Sequence, residues 1–355
     1  MPACRGRGDP VAAPSAFKQS RTNLLSQADT LLPPTVPARP APSGSRRRMS
    51  SSTADSIFEW ACRLAGVLVL VLLGAIIIEL FLGALPALRQ FGFGFIWNEL
   101  WDPVANQYGA LVPIYGTILT SIMALAVAVP IAFGIAFFLT ELAPPWLRRP
   151  VGTAVELLAA VPSIIYGMWG FFVVVPIMAQ TIYPALIDTL GELPGIGFLF
   201  AGPPFGTGLL TAALILAVMI IPFIAATMRD VFQTVPPVFK ESAYGLGATR
   251  WEVMWNIVLP YTRKSVVGGI MLGLGRALGE TLAVTFVIGN ANRIATSLFG
   301  PGNTIASLVA LEFGEAQAGS LKLSSLLALG FILFVLSFIV LAISRFLLRP
   351  GLKGG

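Results

Sequence analysis

Six apolar stretches, each containing a span of at least ~20 residues, leave this chain few possible folds. They occupy 64–88, 111–140, parts of 157–187 and of 194–228, 265–292 and 323–344. About 20 residues of helix, rising 1.5 Å each, cross a hydrocarbon core of about 30 Å. No water reaches that core, so each backbone N–H and C=O must be paired within its own segment, which selects helix. Of 355 residues, 56% are hydrophobic and 11% are charged, against about 25% charged in a soluble domain. So few polar side chains cannot wet a folded surface, and the bilayer is the solvent. The expected architecture is an all-α integral membrane protein with six transmembrane helices.

Lysine and arginine set the orientation. With the N-terminus inside, Arg63, Arg148, Arg149, Arg229, Lys240, Arg250, Arg263, Lys264, Arg345, Arg349 and Lys353 fall on the cytoplasmic side. Only Arg89, Arg293 and Lys322 fall outside, so both termini are expected in the cytoplasm. The net charge of +6 forms no single basic face, which argues against nucleic acid as a partner. Trp97, Trp101 and Tyr108, in the first external connection, suit the headgroup layer. The apolar run 294–311 is cut by Gly300-Pro301-Gly302-Asn303 into pieces too short to span, and reads as an external surface or re-entrant element.

Residues 1–55 are rich in Pro, Ala, Ser and Arg and lack sustained periodicity, so they read as a disordered extension. Met49, directly after Arg46-Arg47-Arg48, is an alternative start. A six-helix transmembrane domain is expected over 56–349, with a cytoplasmic tail at 350–355. Cys4 and Cys62 fit no metal or redox spacing, and the chain has no histidine. Hydrolytic and metal chemistry lose their commonest residue, so no catalytic residue, metal or cofactor is assigned to this chain.

The polar segment of about 229–263 separates the fourth stretch from the fifth. Pro236 and Pro237 can open a short helix over 238–246, with Gly247 as a left-handed cap. Thr249-Arg250-Trp251-Glu252 is a capping-box pattern opening a second helix through Val253, Met254, Trp255, Ile257 and Val258, which Pro260 should limit. Tyr244, Trp251 and Trp255 would then be free to dock in a partner's groove. Read from the residues alone, this helix pair either passes a push or simply lies on the membrane surface.

Glu241-Ser242-Ala243, followed by Gly247 and then by Ile257, Leu259 and Pro260, resembles the E-A-A-x3-G-x9-I-x-L-P signature of type I ABC-importer permeases. Ser242 replaces the first alanine. The resemblance implies that this loop faces the cytoplasm and couples the membrane subunit to a separate ATPase, with Glu241 and Gly247 as its key positions. The chain has no Gly-Lys dipeptide and hence no P-loop, so ATP and Mg would be bound by that partner subunit.

In the fifth stretch, Arg276 and Glu280 stand four residues apart, on one face of a helix, with Thr281 next. A charge at the bilayer centre costs at least ~2.5–3.5 kcal/mol and therefore faces protein or a wet cavity. Gly269, Gly273, Gly275 and Gly279 keep the surrounding surface slim. Either Arg276 lies near an anion's path with Glu280 tempering its charge, or the pair fixes packing between permease subunits. Pro162 places a kink beside Ser163 and Tyr166 in the third stretch, with a Pro-bent packing helix as the plain alternative.

Two strings narrow the resemblance: 275–281 continuing to Asn290, and Glu156 through Pro162 to Gly167. Both are similar to the PstC-type permeases of bacterial phosphate importers, and the companion PstA-type permeases share parts of them. The resemblance implies a phosphate-translocating subunit of the cytoplasmic membrane. Its implied partners are a second, PstA-like permease, two PstB-like ATPases and an external PstS-like phosphate-binding protein. Permeases of this class for molybdate or sulfate are the near alternative, and a secondary transporter using the Arg–Glu pair as a relay is the distant one.

Overall fold

The computed structural model describes residues 51–195 and 197–348. Most of the expected disordered extension, the alternative start at Met49 and the tail at 350–355 lie outside the described residues. The chain divides into two units, with the boundary between Leu68 and Val69. Among the described residues the first contains only the start of α1 (Ser51–Phe91). Helix α1 thus takes in Ser51 to Asp55, which the composition had assigned to the unstructured tail.

The second unit is helical. After α1 come α2 (Leu111–Phe137, extended by a π-turn Phe138–Leu142), α3 (Pro145–Ala159) and α4 (Ser163–Leu190). Helix α5 (Leu209–Gln233) precedes two short helices, α6 (Pro237–Gly245) and α7 (Arg250–Val253). Then follow α8 (Leu259–Leu278), α9 (Leu282–Val287), α10 (Ile305–Glu312) and α11 (Leu321–Leu348).

Five described helices are long and apolar enough to span a membrane, in α1, α2, α4, α5 and α11. They match the first four expected stretches and the sixth. The fifth stretch differs. Helix α8 carries Arg263, Lys264 and Arg276, and it stops at Leu278 instead of continuing to Asn292. Gly279 and the residues after it turn the chain before α9 begins, so the expected single span is two helices.

Helix α5 is the most buried span, and its closest neighbour is α2. Ala124, Ala128, Ala132 and Ala136 recur at one helical period and are fully buried, giving α2 a slim seam on which α5 lies. Ile215, Ile220, Ile224 and Phe232 of α5 fill the core behind it.

A second, smaller core joins Ala84 and Ala87 of α1 to Ile305 and Leu308 of α10 and Leu326 and Leu329 of α11. Trp101 and Tyr108 belong to it, at 7% and 1% exposure, rather than to a headgroup layer. The indole N–H of Trp101 donates to Glu312 at 2.9 Å, so its polar atom is satisfied within the protein. Trp97 stays exposed.

Candidate functional site

The segment between α5 and α8 folds largely as its local signals dictate. Pro236 precedes α6, and Pro237 starts it, where the missing N–H costs nothing. The chain leaves α6 through Gly247 at φ +88°, a left-handed conformation open to glycine without steric cost. Thr249 accepts the Glu252 backbone N–H while the Glu252 carboxylate accepts that of Thr249, so the capping box is present. The Thr249 backbone N–H at 2.7 Å and the Thr249 hydroxyl at 2.8 Å both donate to the Glu252 carboxylate and hold that carboxyl below its usual range, the backbone N–H contributing most.

Pro260 does not end the second helix. The turn Met254–Val258 widens to π geometry, with the Leu259 N–H bonded to the Met254 carbonyl, and the chain runs on into α8. A proline ring ordinarily collides with the carbonyl four residues back and leaves a bond unmade. The wider turn just before it absorbs that mismatch. The same device precedes Pro176 and Pro184 in α4.

The signature residues divide by face. Glu241 and Ser242 are exposed on α6, and the Glu241 side chain has no hydrogen bond or ion pair among the described residues. Ala243 and Leu259 pack against the main core. Ile257 is half-buried and Pro260 exposed. Leu246, at 91% exposure, stands out just before Gly247. Trp251 and Trp255 are only half available to a partner: their rings pack 5.7 Å from those of Phe137 and Phe133 on α2.

An acid that the sequence reading passed over holds this element in place. Glu141, in the π-turn ending α2, accepts from Lys240 at 2.6 Å and from the Tyr244 hydroxyl at 3.2 Å. Its backbone carbonyl accepts from Arg250 at 3.1 Å. Its side chain is 8% exposed. Burial, and then the Glu141 charge, push the Tyr244 hydroxyl above its ordinary range, so at neutral pH it remains the donor. The only sequence signal was position: Glu141 follows a charge-free span directly and precedes Ala143-Pro144-Pro145.

A second constellation lies deeper. From Lys264 to Arg276 helix α8 rises about 18 Å, which puts Arg276 far from the level of the short helices. Arg276 is half-buried, its guanidinium carbon lies 5.8 Å from the Phe223 ring centre, and its Nε is buried without a hydrogen-bond partner among the described residues. The expected pairing with Glu280 is absent: no ion pair joins them among the described residues. The helix ends at Leu278, so the two side chains no longer share one helical face. Glu280 instead accepts the Ala283 N–H at 3.3 Å, at the start of α9. Thr281, half-buried in the break, donates to the Gly279 carbonyl at 3.3 Å.

The chain is also broken between α3 and α4, around Pro162 as expected, and the Tyr166 hydroxyl spans this break to the Leu158 carbonyl at 2.9 Å. Helix α4 meets α9 at Gly167, where an added Cβ would stand 2.9 Å from the Ala283 Cα. Two interrupted helices thus lie side by side, and Arg276, just before the break between α8 and α9, keeps unused hydrogen-bonding capacity at its Nε among the described residues. Non-helical backbone at membrane depth persists only where protein or a wet cavity surrounds it.

Residues 128–350 match the family of binding-protein-dependent transport system inner membrane components. The chain is 58% identical over 301 residues to the phosphate transport system permease protein PstC of Pasteurella multocida, covering 85% of this chain and 93% of that protein. Identity to the Mesorhizobium japonicum PstC is also 58%, with 83% and 90% covered. A probable PstC from Methanocaldococcus jannaschii is 36% identical, with 76% and 85% covered. In fold, the chain resembles a bacterial alginate ABC transporter crystallised with its alginate-bound periplasmic protein. The TM-score is 0.54 at 16% identity, with 85% of this chain and 98% of that chain covered. The chain belongs to the PstC family of transport-system permeases, within the binding-protein-dependent inner membrane components.

Proposed function

We propose that this chain is the membrane subunit of an ATP-driven importer that carries inorganic phosphate into the cell. The identity to PstC proteins over most of both chains carries this reading. A heterodimer with a PstA-like permease, two PstB-like ATPases that bind ATP and Mg, and an external PstS-like binding protein complete the assembly. Both termini and the helix pair α6–α7 face the cytoplasm, in keeping with the lysine and arginine distribution. No covalent chemistry takes place in this chain.

In this mechanism, closure of the ATPases pushes the exposed face of α6, where Glu241, Ser242 and Leu246 stand free. The pathway opens outward, and the binding protein releases phosphate toward the breaks between α3 and α4 and between α8 and α9. Arg276 supplies the charge. Its Nε lacks a partner, and a charge-assisted bond to a phosphate oxygen is among the stronger hydrogen bonds available to it. Glu280 is not paired with Arg276 among the described residues; the guanidinium lies instead over the Phe223 ring face, which takes up none of its hydrogen-bond donors. Hydrolysis returns the pathway to its inward-open state.

The test is uptake of radiolabelled phosphate at low concentration in cells lacking the gene and in cells with it restored, with molybdate and sulfate followed in parallel. Loss and rescue confined to phosphate is the expected result. Loss of another oxyanion with unchanged phosphate uptake would overturn the substrate and keep the class.

A further inference from the structure

Apart from Ala243 on the main core and the Phe239 ring 6.0 Å from that of Tyr261 on α8, helix α6 is held to the long helices by polar contacts. It enters through Pro236 and leaves through Gly247, a left-handed residue with open space about its α-carbon. A push on such an element would pivot it about those two points unless something fixed it to a long helix. The contacts of Glu141 provide that fixation. Its carboxylate binds Lys240 and Tyr244 on α6, and its carbonyl binds Arg250 at the start of α7. One residue at the end of α2 therefore grips both short helices. Lys240 also lies 3.5 Å from the Phe232 carbonyl near the end of α5, so the pair sits between the two central helices.

The opposite end of α2 makes a second set of contacts. Thr117 accepts the Ile305 N–H at 2.9 Å, and the Tyr115 hydroxyl reaches the Ala295 carbonyl at 3.5 Å. Gly116 lies so close to the Asn303 carbonyl that no Cβ would fit. Between these ends the helix, with its π-turn, is 32 residues long, about 48 Å. Its buried alanine seam packs closely on α5, and near its end the Phe133 ring meets that of Phe232 on α5 at 5.8 Å, so displacement at that end is passed along the helix pair.

We propose that Glu141 is the positioning residue through which the short helices move α2, and that α2 carries this movement to the external segment 291–305. The inference rests on the reading of α6–α7 as the ATPase-facing element. It assigns separate tasks to two acids: Glu241 faces the partner, and Glu141 converts the partner's push into displacement of a spanning helix.

The pair is also poorly replaceable. Lys240 and Glu141 are 18% and 8% exposed, and removing one partner leaves the other a largely buried, unpaired charge. An amide at 141 keeps the size and one acceptor but drops the charge.

The experiment uses the complete importer in liposomes, supplied with ATP and phosphate-loaded binding protein, and reads phosphate moved per ATP hydrolysed. Glu141→Gln is expected to lower that ratio about tenfold, and Lys240→Glu to do the same. The exchange Glu141→Lys with Lys240→Glu is expected to restore most of it, which a purely steric role would not allow. An unchanged ratio in Glu141→Gln, beside ATP-driven uptake by the unaltered complex, overturns the inference alone. So does loss of the ATPase from both single variants with no recovery in the exchange. Absence of ATP-driven uptake in the unaltered complex overturns the underlying reading as well.

Discussion

The guanidinium carbon of Arg276 lies 5.8 Å from the centre of the Phe223 ring, facing aromatic surface where the sequence had suggested a carboxylate. A cation over a ring face keeps its full charge and its hydrogen-bond donors, whereas a paired carboxylate would occupy them.

Arg276→Gln is expected to reduce phosphate uptake at least about tenfold, since a hydrogen bond to a charged group contributes roughly 1.5–3 kcal/mol. Assembled complex should be recovered in normal yield. Uptake and co-purification measured together separate pathway from packing: a variant that comes apart on purification would make Arg276 a packing residue.

Glu241→Lys places a cation on the exposed face of α6 where the side chain has no partner within the chain. The protein is expected to reach the membrane and keep its fold, while uptake is abolished and the ATPase associates weakly. Normal uptake in this variant would remove α6 from the coupling path.

Gly167→Ala tests the contact between the two interrupted helices. The added methyl would approach backbone at Ala283 and the Phe286 ring, both at 2.9 Å. Overpacking of this kind costs about 1–3 kcal/mol. A lower melting temperature of the purified complex is expected; an unchanged one would mean that α4 and α9 separate freely.

The capping box predicts a pH effect with a definite sign. Two hydrogen bonds hold the Glu252 carboxyl below its usual range, so folding favours its ionised form. The contribution is complete above the unfolded carboxylate range and is lost as pH falls through the lowered folded value. Protection of the amides at the start of α7, the observed exchange rate relative to the intrinsic rate at the same pH, should therefore be high at neutral pH and fall in acid. Glu252→Gln should flatten that dependence, and a variant with the same pH profile as the unaltered protein would exclude the carboxylate as its source.

What was legible in the sequence was what neighbours along the chain determine. The apolar stretches, the capping box at Thr249 and Glu252, the left-handed turn at Gly247 and the kink at Pro162 each depend on contacts within about four residues. Such signals are printed in the local order of residues. The signature from Glu241 to Pro260 was legible for the same reason, although its proline proved compatible with a continuous helix once the preceding turn widened.

Only the tertiary structure decided which distant groups meet. Glu141 and Lys240 are 99 residues apart, and neither carries a local mark of its partner. Trp101 and Tyr108 could have faced lipid headgroups, and were buried because α10 and α11 close over them. Arg276 and Glu280 have the spacing of an intrahelical pair, yet the chain turns at Gly279 and sends one to Phe223 and the other to the start of α9. A helix fixes direction and rise along its own axis. The choice of partner depends on where other helices end, which is set by packing across the whole unit.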